Sequence, residues 1–371
     1  MIDILCFLTD LDGGGAQRTM VNLVNGLSAG GTAVELVVVR GDGSARDWLS
    51  GDVALVDLKC GHTRGSVLAL RSLLKARHPR ILFSTMLDAN IVASMATVGL
   101  ARRPALIHRE TNSHIARGDI GSLRRMGARW AYRRADRIIA LSEGVGHELT
   151  ALYGLPEGQT QTIHNPVDIS GILSAAHSAR VQPAPWGDWA SGAPVILGAG
   201  RLTHQKGFDL LLRAVARLQD ISVRIVLLGD GPDRPKLERL GKELGLDDRL
   251  LMPGFVADPE RWMVHADQFV LSSRWEGFGH VIVEAMACGL PVMATDCPFG
   301  PADIIEHGQT GILVPPDDIG ALADGISRLL TGVEAQALAE AASGNCRRFD
   351  LPQITGAYET LFDHYLGTEV S

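Results

Sequence analysis

Cysteine is scarce. Cys6, Cys60, Cys288, Cys297 and Cys346 are scattered, odd in number and never spaced as CxxC, which argues against a disulfide framework and a zinc site and points to the cytosol. Long apolar runs are also missing, since none approaches the roughly 18 residues of a membrane span. The first run, Ile4–Leu8, is followed by Asp10 and Asp12 and has no basic leader, so it is expected to be a strand and not a signal peptide. Net positive charge is absent too: a formal charge of -7 argues against nucleic acid as the main partner. What is present is an ordinary globular composition, 46% hydrophobic and 21% charged, over 371 residues. That length exceeds one ordinary core and suggests two domains.

Strand and helix patterns alternate through the first half. Ile2–Leu8 is strand-like, Ala16–Leu27 helical, Val34–Val39 a strand, Val67–Ala76 a helix and Ile81–Thr85 a strand, and the alternation continues to Thr162–His164. Repeated βαβ units call for a parallel sheet covered on both faces, with ligands at the C-terminal edge of its strands. The first crossing there, Asp12-Gly13-Gly14-Gly15-Ala16-Gln17-Arg18, is either a flexible turn or a backbone cradle at a helix N-terminus. It is not a dinucleotide fingerprint, because Arg18 stands where the third glycine of GxGxxG belongs, and Thr203 does the same after Gly198 and Gly200. An NAD-linked oxidoreductase is therefore disfavoured.

The second half centres on Ser272 to Pro301. A short apolar run, Gln268–Leu271, leads to Gly277 and Gly279, then to a helical pattern with Val281, Ile282, Ala285 and Cys288 apolar and Glu284 among them. Gly289 and Pro291 stop that helix before a new strand, Pro291–Thr295. Free backbone N–H groups and the helix dipole at such a crossing favour an anion, here with a carboxylate on each side, Glu276 and Glu284. Earlier, Val195–Ala199 ends in Gly200-Arg201, and Lys206-Gly207 precedes a helix carrying Phe208, Leu211, Leu212 and Val215. Arginine can fork onto phosphate oxygens and lysine supplies a mobile charge, so this pair suits a diphosphate.

Glu276 and Glu284 inside WEGFGHVIVEAMACGLPV, with Gly200-Arg201, Lys206-Gly207, Gly229-Asp230-Gly231-Pro232 and Gly311–Pro315 in the same order, resemble the family 4 retaining glycosyltransferases of GT-B fold. The resemblance implies an α/β protein of two Rossmann-like domains whose parallel sheets face each other across a cleft. The boundaries it suggests are 1–168 for an acceptor domain, 169–193 for a linker, 194–350 for a nucleotide-sugar domain, and 351–371 for a helix crossing back to the first domain. It implies an enzyme moving a hexose or N-acetylhexosamine from a nucleotide diphosphate sugar to a glycan or polyprenyl-pyrophosphate-linked acceptor, without a metal. Arg201, Lys206 and the backbone at Gly277, Phe278 and Gly279 would hold the diphosphate, with Gly14 and Gly15 as a second cradle. Glu276 would hold the sugar hydroxyls, Glu284 the ribose, and Phe255 and Val256 the base. His108, at the end of the strand Ala105–Arg109, is the first choice for a group against the donor sugar and Glu110 the second; Arg18 and Glu110 are also candidates on the acceptor side.

The loop Thr295–Pro301 resembles that of members using UDP-hexoses or UDP-N-acetylhexosamines in surface-polysaccharide synthesis, although Ala302-Asp303 departs from the Arg-Glu often found there. A GDP-mannose-dependent mannosyltransferase, a GT-B epimerase or hydrolase, and a non-catalytic partner of an assembly complex remain as alternatives.

Between Ala101 and Ala140 ten arginines stand against Glu110, Asp119 and Asp136. Leu123, Met126 and Trp130 recur at helical spacing beside a stripe of Arg125, Arg129 and Arg133. Either the apolar stripe enters the core and the arginines are solvated, or this face of Arg102 to Arg137 lies on an anionic membrane, making the protein peripheral at the inner face of the cell membrane.

Overall fold

The computed structural model describes residues 2–12, 15–111, 113–114, 121–218 and 222–367. The chain forms two compact units, Met1–Pro166 joined by Leu351–Ser371, and Val167–Asp350.

The first unit runs β1 (Ile4–Leu8), α1 (Gly15–Ala29), β2 (Val34–Val38), β3 (Ala54–Asp57), α2 (Val67–Arg77), β4 (Ile81–Thr85), α3 (Leu87–Ala96), β5 (Ala105–Glu110), α4 (Ser122–Arg134), β6 (Arg137–Ala140), α5 (Glu143–Tyr153) and β7 (Thr160–Thr162). The second runs α6 (Ile169–Arg180), β8 (Val195–Ala199), α7 (Phe208–Val215), β9 (Arg224–Leu228), α8 (Arg234–Glu243), β10 (Leu250–Gly254), α9 (Pro259–Met263), β11 (Gln268–Leu271), α10 (His280–Ala287), β12 (Val292–Thr295), α11 (Pro301–Ile304), β13 (Ile312–Val314), α12 (Ile319–Thr331) and α13 (Ala335–Asn345). A last helix, α14 (Leu351–Gly367), belongs to the first unit.

Both sheets are parallel and doubly wound. Among the described residues the first has the order β3-β2-β1-β4-β5-β6-β7 and the second β10-β9-β8-β11-β12-β13. Strands β1, β2, β4 and β8 are buried at every position, as strands covered on both faces must be, and this is why they read as nearly unbroken apolar runs. In the first unit one face packs on α1 and α14 through Met20, Val24, Tyr358 and Phe362, and the other on α2 and α3 through Leu70, Leu74 and Val92. Phe83 of β4 meets Tyr358 and Phe362 edge-on, with ring centroids 5.7 and 5.4 Å apart, so α14 is part of that unit's core. In the second unit β8 and β11 are neighbours. Crossovers from such a pair leave toward opposite faces, and a crevice opens at their C-terminal ends.

Residues 169–193 carry α6, whose N-terminus is capped by Asp168 accepting from the Gly171 N–H at 2.9 Å, and α6 packs on α9 and α10. Trp186, further along, stacks on Trp262 at 5.9 Å. This segment is therefore built into the second unit.

Helix α4 overturns one of the two expectations for the arginine-rich stretch. Its buried face is Ala128, Ala131 and Tyr132, while Leu123 and Met126 are 76% and 65% exposed. Trp130 also lies outside, with the Arg134 guanidinium 5.1 Å from its ring centre. Close packing on α3, where Gly127 lies against Ile91, admits small residues, and the larger apolar side chains are left to solvent. No described helix is long and apolar enough to cross a membrane.

Candidate active site

The crossings after β8 and β11 flank the switch point of the second sheet, and they are laced together by backbone. After β8 the chain turns at Gly200 (φ 149°) and makes a short turn, His204–Lys206, that ends at Gly207 (φ 60°) before α7. After β11 it passes Ser272 to Glu276 and enters α10 through Gly279 (φ 102°). The Arg274 N–H donates to Gln205 O at 2.8 Å, Gln205 Nε2 to Trp275 O at 3.0 Å, and Ser272 Oγ to Lys206 O at 3.0 Å. A Cβ on Gly207 would stand 2.0 Å from Ser272 O, so glycine is required both for the left-handed turn and for this approach.

This lacing brings Lys206 to Glu276. The ammonium Nζ lies 2.6 Å from Glu276 Oε1, with the two side chains 16% and 7% exposed. Ser273 Oγ donates to the same oxygen at 2.6 Å. An ammonium has three donors and a carboxylate about four acceptor positions. Lys206 thus keeps two N–H groups, and Glu276 Oε2 carries no hydrogen bond among the described residues. The pair is held in place and only half used, with a cation able to meet phosphate oxygen beside a carboxylate able to accept from hydroxyls.

On the same crossing as Lys206, Arg201 is exposed and makes no side-chain hydrogen bond among the described residues. Gly229 and Gly231 are more than turn residues: a Cβ would stand 2.1 Å from Gly200 O or 2.4 Å from Leu202 O, so they seat the loop that carries Arg201. Gly277 is buried, and Phe278 is enclosed against Phe349 at 5.3 Å, leaving backbone as what this loop can offer a ligand. Gly300 (φ 103°) backs the loop, its missing Cβ falling 2.3 Å from Phe278 O. Glu284 is half-buried within α10. Phe255, just past β10, is 84% exposed beside half-buried Val256. Burial pushes the Cys297 thiol up to about 12.

In the first unit Gly15 opens α1 and is exposed, and exposed Arg18 lies over the Trp48 ring at 5.8 Å. Gly14 lies outside the described residues. His108 and Glu110, expected from the sequence against the donor sugar, are both held among protein groups. His108 is fully enclosed, with Ser84 Oγ 2.8 Å from Nδ1 and Ser94 Oγ 2.8 Å from Nε2, and burial lowers its pKa to about 3. Glu110 is equally enclosed. Its carboxylate accepts from Tyr132 Oη and the Thr111 N–H and lies 3.0 Å from His114 Nε2. Both side chains are enclosed by protein at the end of β5.

Arg274 is the residue the sequence reading missed. Its guanidinium forks onto both oxygens of Asp209 at 2.8 Å, donates to His204 O at 2.9 Å and reaches Asp317 at 2.9 Å. Burial alone would raise the Asp209 carboxyl, but the two Arg274 bonds outweigh it and hold it below its usual value. Its position two residues before Glu276 was the only signal available.

Two doubly wound units of this strand order define the GT-B class. The chain aligns with HepE of Anabaena, solved in complex with UDP, at a TM-score of 0.83 and 23% identity over 98% of this chain and 100% of that one. It aligns with the sucrose-phosphate synthase of Thermosynechococcus elongatus at 0.84 and 21% identity over 100% of both. Residues 13–170 match the profile Glycosyltransferase Family 4 and residues 193–332 the profile Glycosyl transferases group 1. The chain thus carries a domain matching glycosyltransferase family 4 in its first half and one matching the group 1 glycosyl transferases in its second.

Among its relatives is the N-acetylgalactosamine-N,N'-diacetylbacillosaminyl-diphospho-undecaprenol 4-alpha-N-acetylgalactosaminyltransferase of Campylobacter jejuni, 30% identical over 199 residues, 54% of this chain and 52% of that protein. The match thus spans about half of that relative's length. The lipopolysaccharide core biosynthesis glycosyltransferase LpsE of Rhizobium meliloti is 29% identical over 323 residues, 87% of this chain and 86% of that protein.

Proposed function

We propose that the protein moves a hexose or N-acetylhexosamine, with retention, from a UDP-sugar to a hydroxyl of a glycan or lipid-linked acceptor in surface-polysaccharide or glycolipid assembly. The observation that carries this reading is the half-used Lys206–Glu276 pair at the switch point of the second sheet. As the bond from the sugar C1 to the diphosphate breaks, negative charge grows on the leaving phosphate and positive charge on the sugar ring. Lys206, Arg201 and the loop backbone at Phe278 and Gly279 meet the first charge. The free oxygen of Glu276 holds the donor's hydroxyls and Glu284 the ribose. The acceptor oxygen bonds to C1 on the same face while its proton passes to the departing phosphate oxygen, which needs no enzyme nucleophile.

A UDP-sugar is favoured because HepE of Anabaena was solved with UDP and with UDP-glucose. A lipid-linked acceptor is favoured by the name of the Campylobacter relative. Work at an anionic membrane face is supported by Leu123, Met126 and Trp130, exposed on α4 beside Arg125, Arg129 and Arg133. Calorimetric titration with UDP- and GDP-sugars tests the donor, followed by product analysis with and without acceptor. A UDP-sugar should bind and be consumed only when an acceptor is present. Silence toward every nucleotide sugar, or release of an epimer without acceptor, overturns the reading.

A further inference from the structure

The carboxylate of Glu276 has two oxygens, and the protein engages only one of them. Lys206 Nζ and Ser273 Oγ each lie 2.6 Å from Oε1, while Oε2 has no hydrogen bond among the described residues. That asymmetry needs a cause. A largely buried ammonium attracts both oxygens of a neighbouring carboxylate, and the terminal torsion of glutamate is soft, so the side chain alone does not fix the plane of the group. Left to itself the pair would close, with Lys206 giving a second N–H to Oε2.

Ser273 supplies the cause. It stands on the crossing after β11, three residues before Glu276, and is fully buried. Its hydroxyl donates to a carboxylate, and a charge-assisted bond of this kind is roughly twice as strong as a neutral one. The backbone of Ser273 is fixed independently. Its carbonyl accepts from Thr295 Oγ1, a fully buried group at the end of β12, and the preceding Ser272 donates its hydroxyl to Lys206 O at 3.0 Å. The Glu276 N–H in turn donates to Pro298 O at 3.4 Å, beyond the same strand. Two donors from separate crossings thus converge on Oε1, one of them a neutral hydroxyl held rigidly by β12.

We infer that Ser273 is a positioning residue that keeps the Lys206–Glu276 pair open: its hydroxyl holds Oε1, so that Oε2 and the remaining N–H groups of Lys206 are offered to a ligand and not to each other. The inference rests on the sugar-transfer reading and adds the group that orients Glu276 for it. Ser273→Ala removes one oxygen and keeps the backbone bond to Thr295, so the fold should be retained, with melting curves as the control. Calorimetric titration of the full chain with UDP, and with UDP-glucose or UDP-N-acetylglucosamine, whichever the wild-type chain binds more tightly, measures how much the sugar adds to affinity. In Ser273→Ala that increment should fall about tenfold while UDP affinity stays within about threefold of wild type. Crystal structures of the unliganded wild-type and variant chains should show Oε2 turned onto Lys206 Nζ in the variant alone. Where the wild-type chain shows an increment, its survival in Ser273→Ala overturns the inference. An equal loss for UDP and for the UDP-sugar overturns it as well, since a general disturbance of the loop would give that result. A wild-type chain that binds neither UDP-sugar better than UDP counts against the donor reading alone, and the orientation of Oε2 in the variant then decides the inference: Oε2 still apart from Nζ overturns it.

Discussion

Arg274 and Asp209 are joined by two parallel hydrogen bonds of 2.8 Å, linking the loop that carries Glu276 to the first turn of α7, which follows Lys206. The bond is therefore a brace across the switch point, between the two segments that the candidate site needs in register. Asp209 is 37% exposed at its side chain, so solvent screening reduces what the pair contributes. In a double-mutant cycle of Arg274→Ala and Asp209→Ala the coupling in stability should be about 1 kcal/mol. Arg274→Lys keeps the charge and loses the fork, so it should recover only part of the loss; complete recovery would mean that charge alone matters there.

Lys206→Ala should lower sugar transfer by about a hundredfold or more, roughly 2.7 kcal/mol of transition-state stabilisation, with the fold retained. Glu276→Gln should raise KM for the donor and lower kcat together, because an amide oxygen holds a hydroxyl less well than a carboxylate. Steady-state kinetics on both variants, with melting curves as the folding control, check this. Unchanged turnover in Lys206→Ala would remove the diphosphate role.

Gly207→Ala tests the close approach of the two crossings. The new Cβ would fall 2.0 Å from Ser272 O at a residue whose φ is 60°, and both the clash and the left-handed turn disfavour alanine. A loss of about 2 kcal/mol or more is expected, measured by denaturant unfolding. Nucleotide binding should fall with it, because relief of the clash must pull Lys206 from Glu276. Wild-type stability in this variant would show that the loops are not so tightly apposed.

His108 predicts a pH dependence of stability. In the folded chain burial keeps it neutral, with a pKa lowered to about 3, whereas unfolded it titrates near the ordinary value of about 6.5. Between those values the unfolded chain binds more protons, so stability rises with pH. The contribution is complete above about 6.5 and is lost as pH falls toward 3, with a slope of up to about 1.4 kcal/mol per unit. Melting curves at about pH 4.5 and about pH 7.5 should show a smaller acid loss for His108→Gln than for the wild-type chain. Equal losses would place the acid sensitivity elsewhere.

What could be read beforehand depended on whether the determinant was local. The crossing from Gln268 to Thr295 was legible because its strand, glycines and helix follow one another in the chain, and each leaves its own pattern. His108 was not, because its fate is decided by Ser84 and Ser94, on a neighbouring strand and a covering helix. The role of Arg274 depends likewise on Asp209, distant in sequence. For α4 the periodicity was visible and its direction was not. A spacing rule assigns the larger apolar side chains to the inside, whereas tight packing on α3 selected Ala128 and Ala131 and turned Leu123 and Met126 outward.

The placement of α14 has a consequence for synthesis. The second unit is one continuous stretch of chain, while the first is missing Tyr358 and Phe362 from its core until the last helix has been made. On the ribosome the core begun first is thus completed last, with Phe83 lacking Tyr358 and Phe362 on one face while about 275 later residues are translated. A chaperone that recognises nascent apolar surface would find its longest opportunity there.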